Sequence, residues 1–446
     1  MAKVLISFLG TGPLIPNGAK REYQTANYHL VKPSTSDSNL STSDLGNFPF
    51  VSAALKKHHK ADKLLLIGTV HSMWEEVYRW FSAEANKDVD EDVYFDIANA
   101  CENANYKSEL KIPHQEDIEQ ALGEGSKVIL IKYGITEKEI AENINIILNL
   151  KQYLHNNDEL IVDVTHSFRS LPMFIMNLLI YLQNASDIII HISHIHYGML
   201  EMRRELGYAP ILDLKSIMDV NSWITGAYSF LQFGNAYKIS KLLESENKSV
   251  ANVLKNFSDA MNTNYMYTMQ TEIQKLSAIK NKQYKTMLPE MIINPIINEY
   301  VKTFSVSNKK YEHSHFQIKM ARWQFDHKKY AQAYLTSNEA IITHICEQNM
   351  LQWDDKDQRD FVKNVLFGIL DENLLDVDVD LAKLFRKHNN KRNGIAHTKI
   401  LKSFDKVARK EDEMNLQEII GFLENNLGEL ESLWGISTNS QKKNNK

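Results

Sequence analysis

The sequence predicts an α/β domain of Rossmann type, with a mostly parallel sheet, followed by an all-α domain. Three observations carry that prediction. Short apolar, β-branched runs alternate with helix-like stretches as far as residue 214. The runs are continuous rather than alternating, the pattern of strands buried on both faces. Beyond residue 214 strand signals stop and helical periodicity takes over.

In order, residues 4–9 form the first expected strand, which ends in Gly10, Thr11 and Gly12. Residues 64–67 form the second, ending in Gly68 and Thr69. Strands over 127–133, 159–164 and 187–197 follow, the last rich in histidine. Helices are expected over 73–86, 137–154 and 171–183 between them, the last Met-rich and suited to core packing. The runs 201–206 and 209–214 suggest a closing hairpin. Residues 33–49 are rich in Ser, Thr and Asp and read as a long mobile loop. The second half reads as helices over 217–244, 250–261, 270–279, 295–304, 321–347, 357–370, 379–385 and 411–433. The expected organisation is a sheet domain over 1–214, a helical connector or first part of the helical domain over 215–310, the helical domain proper over 311–436, and a disordered polar tail over 437–446.

Composition narrows the function classes. A chain of 446 residues exceeds one simple core, and 43% hydrophobic with 24% charged residues is ordinary globular usage. The net charge of −5 excludes a uniformly basic nucleic-acid coat, so any such site is a local patch. Cys101 and Cys346 are far apart, which argues against both a disulfide scaffold and a zinc cluster. The N-terminal apolar run is too short for a signal peptide, and no stretch has the ~18 apolar residues of a membrane span. A cytoplasmic protein without a membrane partner is expected.

Two regions carry candidate chemistry. Glycines after the first strand let backbone N–H groups approach a phosphate. The dinucleotide fingerprint is incomplete, with Ile15 at the third glycine position, and no Walker-type lysine motif is present. Asp163, Thr165, His166, Ser167 and Arg169 form a dense polar run at the carboxyl end of a central strand, where open α/β sheets bind ligands. Thr69 and Ser72 would share that rim. Each residue has a plainer reading: Asp163 as a structural acceptor, His166 as a core histidine. His191, His194 and His196 invite a metal, but strand alternation would put His194 and His196 on one face and His191 on the other. Two ligands are too few for a catalytic zinc, so no metal site is assigned.

The second region is the run from Lys391 to Thr398. Between Arg386 and Lys410 there are nine Lys or Arg and one acid, Asp405. Arg392, Asn393 and His397 are the candidate catalytic residues. A helix starting near Asn393 would align Asn393 with His397 and leave Arg392 at its N-terminal end, where an anion is favoured. The available chemistry is metal-free RNA cleavage by the ribose 2′-OH. His397 would move the proton and Arg392 would stabilise charge on the phosphorane. Lys391 and Lys399, with His388, would hold the RNA backbone. The plainer reading is an exposed Arg and His on a solvated basic helix.

Ser7 to Gly12, the loop Asp163 to Ser167 and the run Arg392 to His397 occur in an order that resembles the CRISPR-associated ribonucleases of type III systems. These join an N-terminal CARF domain to a C-terminal HEPN domain. The resemblance implies a homodimer or higher homo-oligomer whose CARF domains bind a cyclic oligoadenylate, foremost cyclic tetra-adenylate, made by a type III effector complex. It implies a composite HEPN site that cuts single-stranded RNA without metal or cofactor. One departure is Ser167, where the family pattern has glycine. Two alternatives stay open: a non-enzymatic cyclic-nucleotide sensor acting on DNA or protein partners, and a CARF domain that also degrades its own ligand.

Overall fold

The computed structural model describes residues 1–16, 22–32, 41–166, 168, 170–284, 287–369, 371–396 and 406–426. The chain divides into two units, Met1–Asn221 and Ser222–Lys446.

The first unit runs β1 (Lys3–Leu9), β2 (Ala26–Val31), β3 (Thr42–Phe48), α1 (Val51–His59), β4 (Lys63–Gly68), α2 (Trp74–Glu84), α3 (Glu91–Asn103), α4 (Gln115–Leu122) and β5 (Lys127–Leu130). It continues with α5 (Glu137–Leu148), β6 (Asp158–Asp163), α6 (Leu171–Asn184), β7 (Ile190–Gly198), α7 (Arg203–Leu206) and β8 (Ala209–Asp213). α8 (Ser216–Phe233) contains the division between the units. The eight strands form one sheet in the order β3-β2-β8-β7-β6-β1-β4-β5. The ladders from β7 through β5 are parallel, whereas β7–β8 and β2–β3 are antiparallel.

The pleat of β1 shows why the sequence folds this way. Val4, Ile6 and Phe8 join a core with α5 and α6, while Leu5 and Leu9 join a second core with α1 to α4. Both faces are apolar, so the strand reads as an unbroken hydrophobic run. Helix starts are signed locally. Asp90 caps α3 through the Asp92 and Val93 amides. Thr136 caps α5 through the Glu139 amide, and the Glu139 carboxylate returns to the Gly134 and Ile135 amides.

Several expectations are revised. Residues 33–40 lie outside the described residues, but Thr42–Phe48, expected as loop, is the edge strand β3. Its side chains are mostly exposed or half-buried, so it carries no apolar run to signal it. The expected hairpin is half realised. β8 pairs antiparallel with β7, but the chain over 201–206 is helical rather than a strand. α1, α3 and α4 add to the three expected helices. β7 holds one extra residue, Ser193: Leu160 pairs with Ile192 and Ile161 with His194. Residues paired across a ladder point the same way, so His191, His194 and His196 share one face instead of splitting.

The second unit holds α9 (Tyr237–Leu243), α10 (Lys248–Thr263), α11 (Met266–Ala278), α12 (Met287–Phe304), α13 (Glu312–Asp326), α14 (Tyr330–Gln348), α15 (Lys356–Leu366), α16 (Val379–Ala396) and α17 (Lys406–Asn426). The expected helix over 217–244 is broken because Gly234, at φ +69°, ends α8 in the left-handed conformation. Two cores share this unit. One lies among α8 to α12, the other among α14 to α17, and α13 serves both. Phe316, Met320 and Trp323 face the first core; Ile318, Ala321 and Phe325 face the second. The expected tail over 437–446 lies outside the described residues. Among the described residues no helix is long and apolar enough to cross a membrane.

Candidate functional site

β1 lies between β6 and β4, and on its two sides the sheet is built outward in opposite directions, β4 to β5 one way and β6 to β7 the other. Such a switch point opens a crevice above the sheet. A cavity of about 580 Å3 lies there. Gly10, Thr11, Gly12 and His166 line it, together with Gln24, Tyr28, Met73, Glu201, Arg203 and Arg204. Gly12 is required by close packing. A Cβ there would stand 2.8 Å from Tyr23 Cδ1 and 3.0 Å from Met73 Sδ.

The remaining candidates sit beneath this surface. Asp163 is fully buried and accepts from Ser7 Oγ (2.5 Å), Thr165 Oγ1 (2.5 Å) and the Thr165 amide (3.0 Å). Thr165 Oγ1 also accepts from the Gly198 amide at 2.7 Å, so this hydroxyl ties β6 to β7. Ser72 Oγ donates to the Leu9 carbonyl at 2.8 Å and accepts from the Thr69 amide at 3.1 Å. Thr69 and Ser72 are buried and absent from the cavity lining; they brace the turn after β1 from below. Ser167 and Arg169 lie outside the described residues.

Burial dominates the electrostatics. It pushes the Asp163 carboxyl up against the pull of His166, Ser7 and Thr165, and it pushes the His166 imidazole down. His166 is therefore neutral near pH 7. Its Nε2 is buried with no partner among the described residues. A buried polar atom left unmet costs about 1–3 kcal/mol, which marks the spot as one a ligand group can satisfy. Tyr28 is held as the phenol by burial and by Asp163.

Sequence reasoning missed Arg203, Arg204, Glu201, Tyr28 and Gln24. The adjacent arginines are the only local signal among them. The lining arginines supply the positive charge that the glycine turn lacks, and Arg203 Nη1 is anchored on the Thr25 carbonyl at 3.1 Å.

In the second unit α16 is described from Val379 through Ala396, so Arg392 and Asn393 lie inside the helix rather than at its start. The expected helix start at Asn393 is overturned. Inside the helix Arg392 has no free N-terminal amides around it, so no helix start helps it hold an anion. Arg392 is half-buried and donates from Nη2 to Glu339 Oε1 (2.8 Å) and from Nη1 to Asn393 Oδ1 (3.2 Å). His388 is fully buried and so is not an RNA-backbone contact. Lys391 is half-buried on the same turn, while His397 and Lys399 lie outside the described residues. Arg322 forks onto Glu424 at 2.8 and 2.5 Å and joins α13 to α17. Among the described residues no group of three His, Cys, Asp or Glu side chains is arranged to hold a metal ion.

Residues 4–198 match the family model of the CARF domain of the CRISPR system endoribonuclease Csx1. The N-terminal unit is a CARF domain. Its glycine turn and His166 lie within the matched span, at the strand ends that frame the cavity. Residues 219–310 match the second domain of the CRISPR-associated protein MJ1674. The chain is 31% identical over 440 residues to the CRISPR-associated protein MJ1674 of Methanocaldococcus jannaschii. That alignment covers 95% of this chain and 66% of the relative, so the chain spans about two thirds of the relative's length. Among solved structures, Enterococcus italicus Csm6 bound to cyclic hexa-2′-fluoro-hexa-dAMP aligns over 97% of this chain and 94% of that one. The identity there is 11% and the TM-score 0.38, a likeness too loose to place any residue beside the CARF cavity.

Proposed function

We propose that this protein is an endoribonuclease of type III CRISPR defence, activated when its CARF domain binds a cyclic oligoadenylate. The observation that carries the ligand half is the cavity at the β1–β6 switch point, where buried His166 Nε2 lacks a partner and Arg203 and Arg204 stand in the lining. Phosphates meet the Gly10–Gly12 turn and the arginines; His166 offers one hydrogen bond to a base or ribose. Asp163, Thr165, Thr69 and Ser72 hold those groups from beneath. Cyclic tetra-adenylate is the proposed activator. A ring with two-fold symmetry suits the same rim offered by two copies in a homodimer. The nuclease half rests on the Csx1 match and on Arg392 within its basic run, with Asn393 and His397 completing a metal-free HEPN site.

The test is cleavage of a labelled single-stranded RNA in EDTA, with cyclic tri-, tetra- and hexa-adenylate compared side by side. Cleavage is expected with cyclic tetra-adenylate and is lost, by about 10³-fold or more, in Arg392→Ala and His397→Ala. Ligand binding by calorimetry survives in both. A His397→Ala protein that cuts at the wild-type rate overturns the site. One observation favours a second reading, a non-enzymatic sensor: Arg392 is already engaged by Glu339, and it lies inside its helix rather than at a helix start. Ligand binding without RNA loss would establish that reading.

A further inference from the structure

Glu339 stands between two arginines, each from a different helix. Its Oε1 accepts from Arg392 Nη2 of α16 at 2.8 Å, and its Oε2 accepts from Arg359 Nη2 of α15 at 2.6 Å. Arg359 is itself fixed on both sides. Its Nη1 donates to the Trp353 carbonyl at 2.6 Å and to Thr343 Oγ1 at 3.1 Å. Thr343 lies four residues after Glu339, on the same face of α14. The carboxylate, its supporting hydroxyl and the second guanidinium are thus built as one assembly. A cavity of about 300 Å3, lined by Glu339, Thr343, Trp353 and Arg359, leaves it open to solvent.

We propose that Glu339 is the positioning residue for Arg392, and that Arg359 makes this possible without cancelling the charge on which RNA binding depends. The inference rests on the nuclease reading above. A lone carboxylate beside Arg392 would orient it but neutralise it. Two guanidiniums sharing one carboxylate leave the group with one net positive charge. Arg392 keeps N–H groups that Glu339 and Asn393 do not use, and these can meet a phosphate oxygen. The carboxylate gives the guanidinium a fixed plane, which a long half-buried side chain would otherwise lack. Fixed orientation counts in the transition state more than in substrate binding.

The assay is steady-state RNA cleavage by the full chain with saturating cyclic tetra-adenylate. Glu339→Ala is expected to lower kcat on the order of 10²-fold while KM moves less than about twofold, because the freed arginine still attracts phosphate. Glu339→Gln, which keeps an acceptor oxygen, recovers part of the loss. Arg359→Ala leaves the carboxylate to Arg392 alone, so KM rises and the salt dependence of RNA binding falls by about one charge. Unchanged kcat in Glu339→Ala overturns the proposal. So does raised kcat, which would make Glu339 a restraint, or a change confined to KM. A second readout separates this result from the nuclease reading. Phenylglyoxal modification of Arg392, followed by peptide mass spectrometry, is expected to quicken severalfold in both Glu339 variants. A wild-type chain that fails to cut RNA sinks the nuclease reading, and with it the catalytic role. Modification at the wild-type rate sinks the bridge itself. Should Glu339→Ala fail to fold, Glu339→Gln carries both measurements.

Discussion

Arg203 and Arg204 show what a single residue's context adds. In the sequence they stand nearly two hundred positions after the glycine turn. The fold brings them to the same cavity, because β7 returns beside β6 and the chain then turns back over the strand ends. Gly10, Gly12 and His166 were legible because strand-then-glycine and strand-then-polar-loop are local patterns. Thr69 and Ser72 matched the same pattern, yet their hydrogen bonds are made within the protein, and residue type alone does not reveal which way a hydroxyl points. Gly12 offers a sharp test. In Gly12→Ala the new methyl collides with the Tyr23 ring, which yields less readily than Met73. The expected result is a loss of about 1–3 kcal/mol of stability in urea and at least tenfold weaker binding of cyclic tetra-adenylate by calorimetry. Unchanged values in both would show that the turn has room to spare.

Among elements, α1 and β7 meet through histidine. His59 Nε2 lies 2.8 Å from His196 Nε2; His194 stacks on His196 at 5.2 Å and its Nδ1 contacts Asp213 at 2.7 Å. His58 and Lys3 complete the ionisable surroundings. Burial and the neighbouring histidines push His59 down to about 3; burial chiefly pushes His196 down to about 4, partly offset by Asp213. These depressed values stabilise the fold above the ordinary histidine pKa of 6.5, and that stability drains as pH falls through 6.5 towards 4. Glu76, raised to about 7 by burial, works in the opposite sense over the window 4.5 to 7. The net melting temperature should fall from pH 7 to pH 5, by less in His59→Gln than in the wild type. An equal fall in both proteins excludes the cluster. The helices of the second unit were legible as helices, but not their ends. α16 passes through Gly394 without stopping, and a glycine beside Asn393 reads just as well as a boundary.

At the scale of the molecule the boundary can be placed by packing. Met218 belongs to the core under α5 and α6, whereas Trp223 belongs to the helical core. A fragment of residues 1–221 should therefore unfold cooperatively and bind cyclic tetra-adenylate. A fragment of residues 1–214 loses Met218 and should melt several degrees lower. Equal melting temperatures would put the boundary at 214, as the end of the strand signals suggested. The helical unit is less divisible, because α13 carries a stripe for each of two cores. Sequence periodicity does not reveal that two apolar stripes on α13 serve different neighbours. The alternation of strand and helix was enough to read the sheet domain; the polar edge strand β3 was not, since an edge needs no apolar face.

The extra residue in β7 has a consequence for which substitutions this strand can tolerate. Ile190, Ile192 and Ile195 all reach the aliphatic core with α6, a spacing that no uninterrupted pleat permits. Ser193 works as a half-period phase slip: before it even-numbered residues point to that core, and after it odd-numbered ones do. The isoleucines are thereby sorted to one side and the histidines to the other. Drawing Ser193 into the ladder opposite Ile161 would exchange the two sets beyond it, carrying His194 and His196 into the oil and turning Ile195 towards the helix that carries His59, whereas deleting it would leave a regular pleat with both sets where they are. The least conspicuous side chain of the strand sets the parity of everything after it.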